Sequence, residues 1–452
     1  MEGIGVQILG FIFSLSILVV LHELGHFIPA KLFKTKVEKF YLFFNPWFSL
    51  FKFKKGETEY GVGWLPLGGY VKIAGMIDES MDKDQMKEEP KEWEFRSKPT
   101  WQRLIIMIGG VAVNAFLAWF IYSMILFAWG DRYIKVEDIK DGFAIEESHP
   151  FMANFDLKTG DKIIKVGDES PTRLTNLYDD IINVSTLTVE RKGKEVIVDV
   201  PKSLINDAID NNIKLNEVIS IRMPFLVGEV VENTAAEKAG LSELDVIKSV
   251  NGTEITYFDE LRSILKTVSG EEIELVVQRG AEELSMYPVV SDSGTIGFRP
   301  GIYSLKEMHE KGFYNISNDE YSLIASFGGG YDKVMDKLGR YARMFKMILN
   351  PSTGAYKGLG GFKTMGSLFP TVWDWEAIWE LTAYLSIILA FMNLLPIPAL
   401  DGGHVMFLLY EIIARRKPSE KFLERAQMVG MIILISLMLF ANLNDTIFAM
   451  FR

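Results

Sequence analysis
Leu21-His22-Glu23-Leu24-Gly25-His26-Phe27 closes an almost wholly apolar run that begins at Ile4 and continues to Val20. The motif reads His-Glu-x-x-His. Residues four apart share one face of a helix, so His22 and His26 can offer imidazole nitrogens to a single metal ion. Glu23 projects beside them, where it can take a proton from water at that metal. Counted at the helical rise from Ile4, His22 lies roughly 27 Å along the axis, close to the thickness of a bilayer's hydrocarbon core. Imidazoles and a carboxylate at that depth are costly and mark function by default. The plain alternative is a polar helix end reaching the interface.

The rest of the composition is consistent with this setting. Of the 452 residues, 48% are hydrophobic, high for a soluble protein, and 24% are charged, too many for a wholly embedded one. Spanning helices and soluble modules are therefore expected together. A net charge of −11 argues against nucleic acid as the main partner. With no cysteine there are no disulfides and no thiolate ligands, and the histidines are His22, His26, His149, His309 and His404. The N-terminal run lacks a basic leader and a small-residue cleavage site, and reads as a retained membrane helix. Lys31, Lys34, Lys36 and Lys39 follow it and only Glu2 precedes it. The positive-inside rule then puts the N-terminus outside and the next loop in the cytoplasm. Pro29 marks a place for the helix to kink or end.

From this the chain divides in order. Residues 1–30 form the first membrane helix and 31–99 a cytoplasmic or membrane-entering β-hairpin region. Within it Phe40 to Phe53 is aromatic and broken by Asn45-Pro46, while Glu59 to Ile73 reads as two short strands around a Gly/Pro turn. That hairpin either dips into the interface or lies on the surface; Ile77 to Glu94 reads as a charged loop or amphipathic piece. Residues 100–130 form a second span, in which Gly109-Gly110 permits close helix contact and Asn114 serves either as packing glue or in a polar site. Two similar soluble modules follow at 131–219 and 220–300. Gly160-Asp161-Lys162-Ile163-Ile164 aligns with Leu244-Asp245-Val246-Ile247-Lys248, each followed by a helical segment and a strand pair turning at Lys192-Gly193 or Arg279-Gly280. Residues 301–375 read as an irregular connection broken by Gly328-Gly329-Gly330, with an amphipathic helix from Tyr331 to Leu349 suited to a membrane surface, a partner or core packing. Residues 376–414 form a third apolar stretch broken at Pro396 and Pro398 and carrying Asp401. A fourth helix at 425–450 returns the C-terminus outside.

Asp401 is a second carboxylate at membrane depth, and Arg415, Arg416 and Lys417 put its end of the stretch on the side of His22 and His26. Two imidazoles and a carboxylate leave a fourth tetrahedral position for water, as a catalytic zinc site requires.

His22-Glu23-Leu24-Gly25-His26, Gly63 through Lys72, Gly110 with Asn114, and Asn393 through Asp401-Gly402-Gly403 together resemble the intramembrane site-2 zinc metalloprotease family. The resemblance implies a polytopic α-helical membrane protein with four spans, a membrane-associated β-hairpin region and two extracytoplasmic PDZ-like α+β domains. It implies residence in a bacterial inner membrane, and zinc-dependent cleavage of single-span substrates within the bilayer. Those substrates include trimmed anti-sigma factors and remnant signal peptides, cut in regulated intramembrane proteolysis during stress responses. Carried over, His22, His26 and Asp401 are the Zn2+ ligands and Glu23 the base. Gly61, Gly63, Gly68, Gly69, Tyr70 and Val71 belong to a β-loop that presents substrate, with Asn393, Pro396 and Pro398 along its path. The PDZ-like pair acts as a size gate. Gly360-Gly361-Phe362 departs from the family's pattern, where a proline follows the glycine. A membrane-anchored scaffold whose PDZ-like modules capture extracytoplasmic chains is the rival from another class. A transporter built on broken helices has the Pro396 and Pro398 interruption in its favour but lacks repeated membrane halves.

Overall fold
The fold is described from a computed structural model, for residues 2–66, 68–76, 89–146, 152, 154–204, 215–222, 224–302, 311–351 and 354–445. Leu67, the Ile77 to Glu88 part of the charged segment, His149, His309 and the end of the predicted fourth helix lie outside the described residues. The chain forms two units, residues 1–130 with 320–452, and residues 131–319.

In the first unit, helices α1 (Glu2–Leu32), α2 (Thr100–Trp129), α3 (Leu323–Ile348), α4 (Trp375–Leu394), α5 (Asp401–Ala414) and α6 (Glu420–Leu443) carry the architecture. Four of these, all but α3 and α5, are long and apolar enough to cross a membrane, as a polytopic membrane protein requires. α1 runs through Pro29 to Leu32; the ring sits in the last turn, where the helix is ending in any case. The third apolar stretch resolves into α4 and the shorter α5, joined by a turn that contains Pro396 and Pro398.

α1 and α2 cross at their glycines. A Cβ on Gly25 would lie 2.4 Å from the Gly109 carbonyl oxygen, and one on Gly109 only 1.9 Å from that of Gly25. Backbone therefore meets backbone, the arrangement small residues permit in apolar surroundings.

Two expectations are corrected. The Gly328-Gly329-Gly330 triplet does not break the chain: it lies inside α3, whose N-terminus is capped by Ser322 accepting from the Ala325 N–H. A Cβ on Gly330 would stand 2.2 Å from Ser123 Oγ, so the glycine lets α3 lie against α2; tertiary packing outweighs the low helix propensity of glycine. Val334, Leu338 and Tyr341 join Ile121, Tyr122 and Ile125 of α2 and Ala383 and Ile387 of α4 in one cluster, so this amphipathic helix is packed in a core.

The second correction concerns the sheet. Strands β1 (Val37–Leu42), β2 (Phe44–Lys55), β3 (Thr58–Leu65) and β4 (Tyr70–Ile73) lie in the order β2-β3-β1-β4. The two strands expected to form a hairpin, β3 and β4, are separated by β1, which pairs parallel with β3 and antiparallel with β4. The hairpin partner of β3 is β2, and Pro46 is accommodated where their register shifts between Phe44 and Ser49. β1 and β4 rest on the end of α1 through a core of Ala30, Val37, Ile73, Phe95, Ile106 and Met107. Among the described residues β4 is an edge strand.

The second unit holds two modules with separate cores, one around Leu177, Leu187 and Val189, the other around Leu261, Leu275 and Val277. In the first, strand Lys162–Val166 precedes helix Leu174–Ile181 and the strand pair Thr186–Arg191 and Lys194–Asp199. In the second, strand Val246–Val250 precedes helix Phe258–Thr267 and the pair Leu275–Arg279 and Glu282–Met286. One polar device occurs in both. Buried Asp161 accepts from the Lys158 N–H and from Arg191, whose guanidinium also donates to the Asp156 carbonyl. Buried Asp245 accepts from the Ser242 N–H and from Arg279, which donates to the Gly240 carbonyl. Strand Asp131–Ile134 pairs with Ile316–Asp319, bringing the two ends of this unit side by side.

Candidate metal centre
His22 and His26 lie one turn apart on α1, on the face turned to α2. Gly110 makes room for them: a Cβ there would meet His26 Nε2 at 2.3 Å and His22 Cε1 at 2.6 Å. His26 Nδ1 is 2.8 Å from the Ile106 carbonyl oxygen. A carbonyl only accepts, so Nδ1 carries the proton and Nε2 the lone pair. The Asn114 amide nitrogen lies 3.1 Å from His22 Nδ1, while its oxygen is buried with no partner. Turning the amide over sets that oxygen on the His22 Nδ1–H. Both imidazoles then spend Nδ1–H on α2 and turn Nε2 inward, the outer-shell support usual for metal-ligating histidines.

Asp401 meets them from the first turn of α5, where the helix N-terminus favours a carboxylate's charge. Its Oδ2 is 3.4 Å from His22 Nε2 and 3.3 Å from His26 Nε2, and the two Nε2 atoms are 3.3 Å apart. Asp401 Oδ2 is buried without a hydrogen-bond donor. Three lone pairs converging in a buried place need a cation among them. Two imidazoles and one carboxylate, with ligand atoms all within 4.8 Å of one another, fit a catalytic zinc ion with one position left open. Among the described residues no other group of three such side chains gathers this way.

Glu23 is buried beside this point and lines one cavity with Val71, and a Cβ on Gly69 would lie 3.5 Å from its Cγ. β4 thus lies beside the acid. A Cβ on Gly69 would meet the Tyr41 carbonyl oxygen and Val19 Cγ1, each at 2.6 Å, so the chain leading into β4 comes close only because residue 69 lacks a side chain. A cavity of about 510 Å³ opens at the histidines, walled by Gly68, Gly69, Tyr70 and Val71 on one side and Asn393 and Leu400 on another. The Asn393 amide nitrogen is 3.3 Å from His22 Nε2.

Other predicted site residues lie off this wall. The space above Gly61 holds the Tyr41 ring and that above Gly63 the Phe44 carbonyl, so both glycines serve the sheet's own packing. Pro396 and Pro398 shape the α4–α5 turn. Gln427 of α6 does line the cavity and was not singled out from sequence; its only signal there is an amide at the threshold of an apolar span.

Residues 10–437 match the family Peptidase family M50. Full-length relatives include the regulator of sigma E protease of Haemophilus influenzae, 26% identical over 96% of this chain and 97% of its own length. The regulator of sigma-E protease of Escherichia coli is 27% identical, over 96% of this chain and 97% of its own. A putative zinc metalloprotease of Rickettsia conorii is 28% identical, over 97% and 98%.

Proposed function
The chain belongs to peptidase family M50 and is a zinc metalloprotease of the membrane, and on that premise we propose that it cuts single-span membrane proteins inside the bilayer, among them trimmed anti-sigma factors and remnant signal peptides. The observation that carries this reading is the convergence of His22, His26 and Asp401 beside a buried Glu23 that shares a cavity with the edge strand β4. A zinc ion held by those three residues supplies a Lewis acid that polarises the scissile carbonyl and acidifies water.

The chain's own residues do the rest. A substrate helix has its carbonyls bonded internally, so it must unwind before attack. β4, last in the order of its sheet, offers main-chain partners to the unwound segment and holds it extended along Gly69 to Val71. Asn393, across the cavity, donates to a substrate carbonyl. Glu23 takes a proton from the attacking water and returns it to the leaving amine nitrogen. Asn114 and the Ile106 carbonyl hold the two imidazoles in the tautomer that turns Nε2 inward. The reading places the protein in a bacterial inner membrane with both termini and the soluble modules outside. Those modules, PDZ-like in their strand–helix–hairpin order, act as a size filter.

Co-expression with a trimmed single-span substrate tests the proposal. Glu23→Gln should keep zinc and lose cutting by at least ~100-fold, the usual worth of a general base. Undiminished cutting by that variant would remove Glu23 from the chemistry, while a parent that does not cut would favour a scaffold role.

A further inference from the structure
Asp401 is delivered by a turn with a forced backbone. Ala399, two residues before it, has φ +89°, a conformation L side chains rarely adopt. Such a residue persists only where its surroundings hold it. Two features of α6 do so. Gly430 lies so close that a Cβ there would stand 1.4 Å from the Pro398 carbonyl oxygen. One turn earlier on the same face, Gln427 accepts the Ala399 N–H through Oε1 at 3.1 Å. Gln427 is 3% exposed, although it stands near the start of a helix whose surface is largely uncovered. On the other side, Gly402 and Gly403 leave no room for side chains against the carbonyls of Leu395 and Ile397. The turn is thus clamped between α5 and α6.

We propose that Gln427 is a positioning residue for the metal centre: through its bond to Ala399 it holds the strained turn that aims Asp401 at His22 and His26. Its hydrogen bond goes to the turn and not to a ligand or the base. This rests on Asp401 being a zinc ligand, as read above. Its specific consequence is that loss of the bond matters because residue 399 is strained. A residue at ease with positive φ needs no such clamp.

The experiment therefore uses three purified full-length variants in detergent: Gln427→Met, which keeps the length and removes the oxygen; Ala399→Gly; and the pair. The readouts are zinc content and the rate of zinc loss to a chelator, with Asp401→Ala as reference. Gln427→Met should lose zinc about 10-fold faster, the scale of an outer-shell defect, Ala399→Gly should match the parent, and the double variant should return to within about twofold of it. Parent-like retention in Gln427→Met overturns the proposal. So does equal loss in the single and double variants, because a general packing defect is not mended at residue 399. Unchanged zinc in Asp401→Ala would instead remove the ligand assignment and leave the clamp without an object.

Discussion
Gly110 and Asn114 meet the histidines of the candidate metal centre from α2 by opposite means, one by absence and one by contact. Gly110→Ala puts a methyl group where the His26 Nε2 and His22 ring atoms stand, and backbone cannot yield there because α1 and α2 already touch at Gly25 and Gly109. Asn114→Leu removes the partner of His22 Nδ1. Both variants are expected to bind zinc 10–100-fold more weakly while retaining the helical signal in circular dichroism. Equal zinc affinity in the Asn114 variant would show that His22 needs no orientation from α2. His-Glu-x-x-His was legible because its spacing is local and its chemistry is explicit. The nearness of Asp401 rested on a charge rule that fixes a side of the membrane and no distance. Gln427 and Ala399 were illegible: a strained φ is set by what surrounds a turn, and nothing in Pro398-Ala399-Leu400 announces it.

At the scale of elements, local patterns read better than pairings. The first strand pair turns at Lys192-Gly193, where the sequence predicts, and the second at Gly280-Ala281, one residue beyond the expected Arg279-Gly280, because a tight turn fixes its own register. The β1–β4 sheet departs from the predicted pairing, since its parallel β1–β3 ladder joins strands that no tight turn connects. β2 was hidden by Pro46 and by a side-chain pattern without alternation; Trp47 is 91% exposed, and Phe51 and Phe53 stand out on the same strand. The helix Phe258–Thr267 supplies a prediction of its own. Burial pushes the Glu260 carboxyl up, but N–H bonds from Thr256 and Tyr257 and the Arg222 guanidinium outweigh it and hold its pKa below the usual carboxylate value. The folded pKa therefore lies under the unfolded one. Its stabilisation is complete above the ordinary range near about 4 and is lost as pH falls through the lower folded value. Thermal unfolding should find Glu260→Gln less stable than the parent at pH near ~7, with the gap closing as pH is lowered past ~4. A gap unchanged over that interval would mean that the charge contributes nothing.

At the scale of the whole molecule, the division into spans and soluble modules followed from composition alone, because a bilayer sorts residues by polarity over lengths of about 20 residues. The proposed size filter belongs to this scale. The ladder of Asp131–Ile134 with Ile316–Asp319 already holds the ends of the soluble unit together, so excising Asp138 to Val290 leaves the flanking chain close to its present course. The excised protein is expected to cut substrates with bulky outer domains while trimmed ones are cut at the parental rate; continued refusal of every untrimmed substrate would sink the filter. The dispersal of the metal centre along the chain also has a bearing on its birth. His22 and Asn393 are 371 residues apart, and Asp401 lies further on. At a synthesis rate of about 5–20 residues per second, the ribosome works for roughly 20–75 s between the first half of the centre and the second. Throughout that interval the nascent chain holds two histidines and an acid but lacks Asp401, so on the proposed ligand set the peptidase would be inert until its translation is nearly finished.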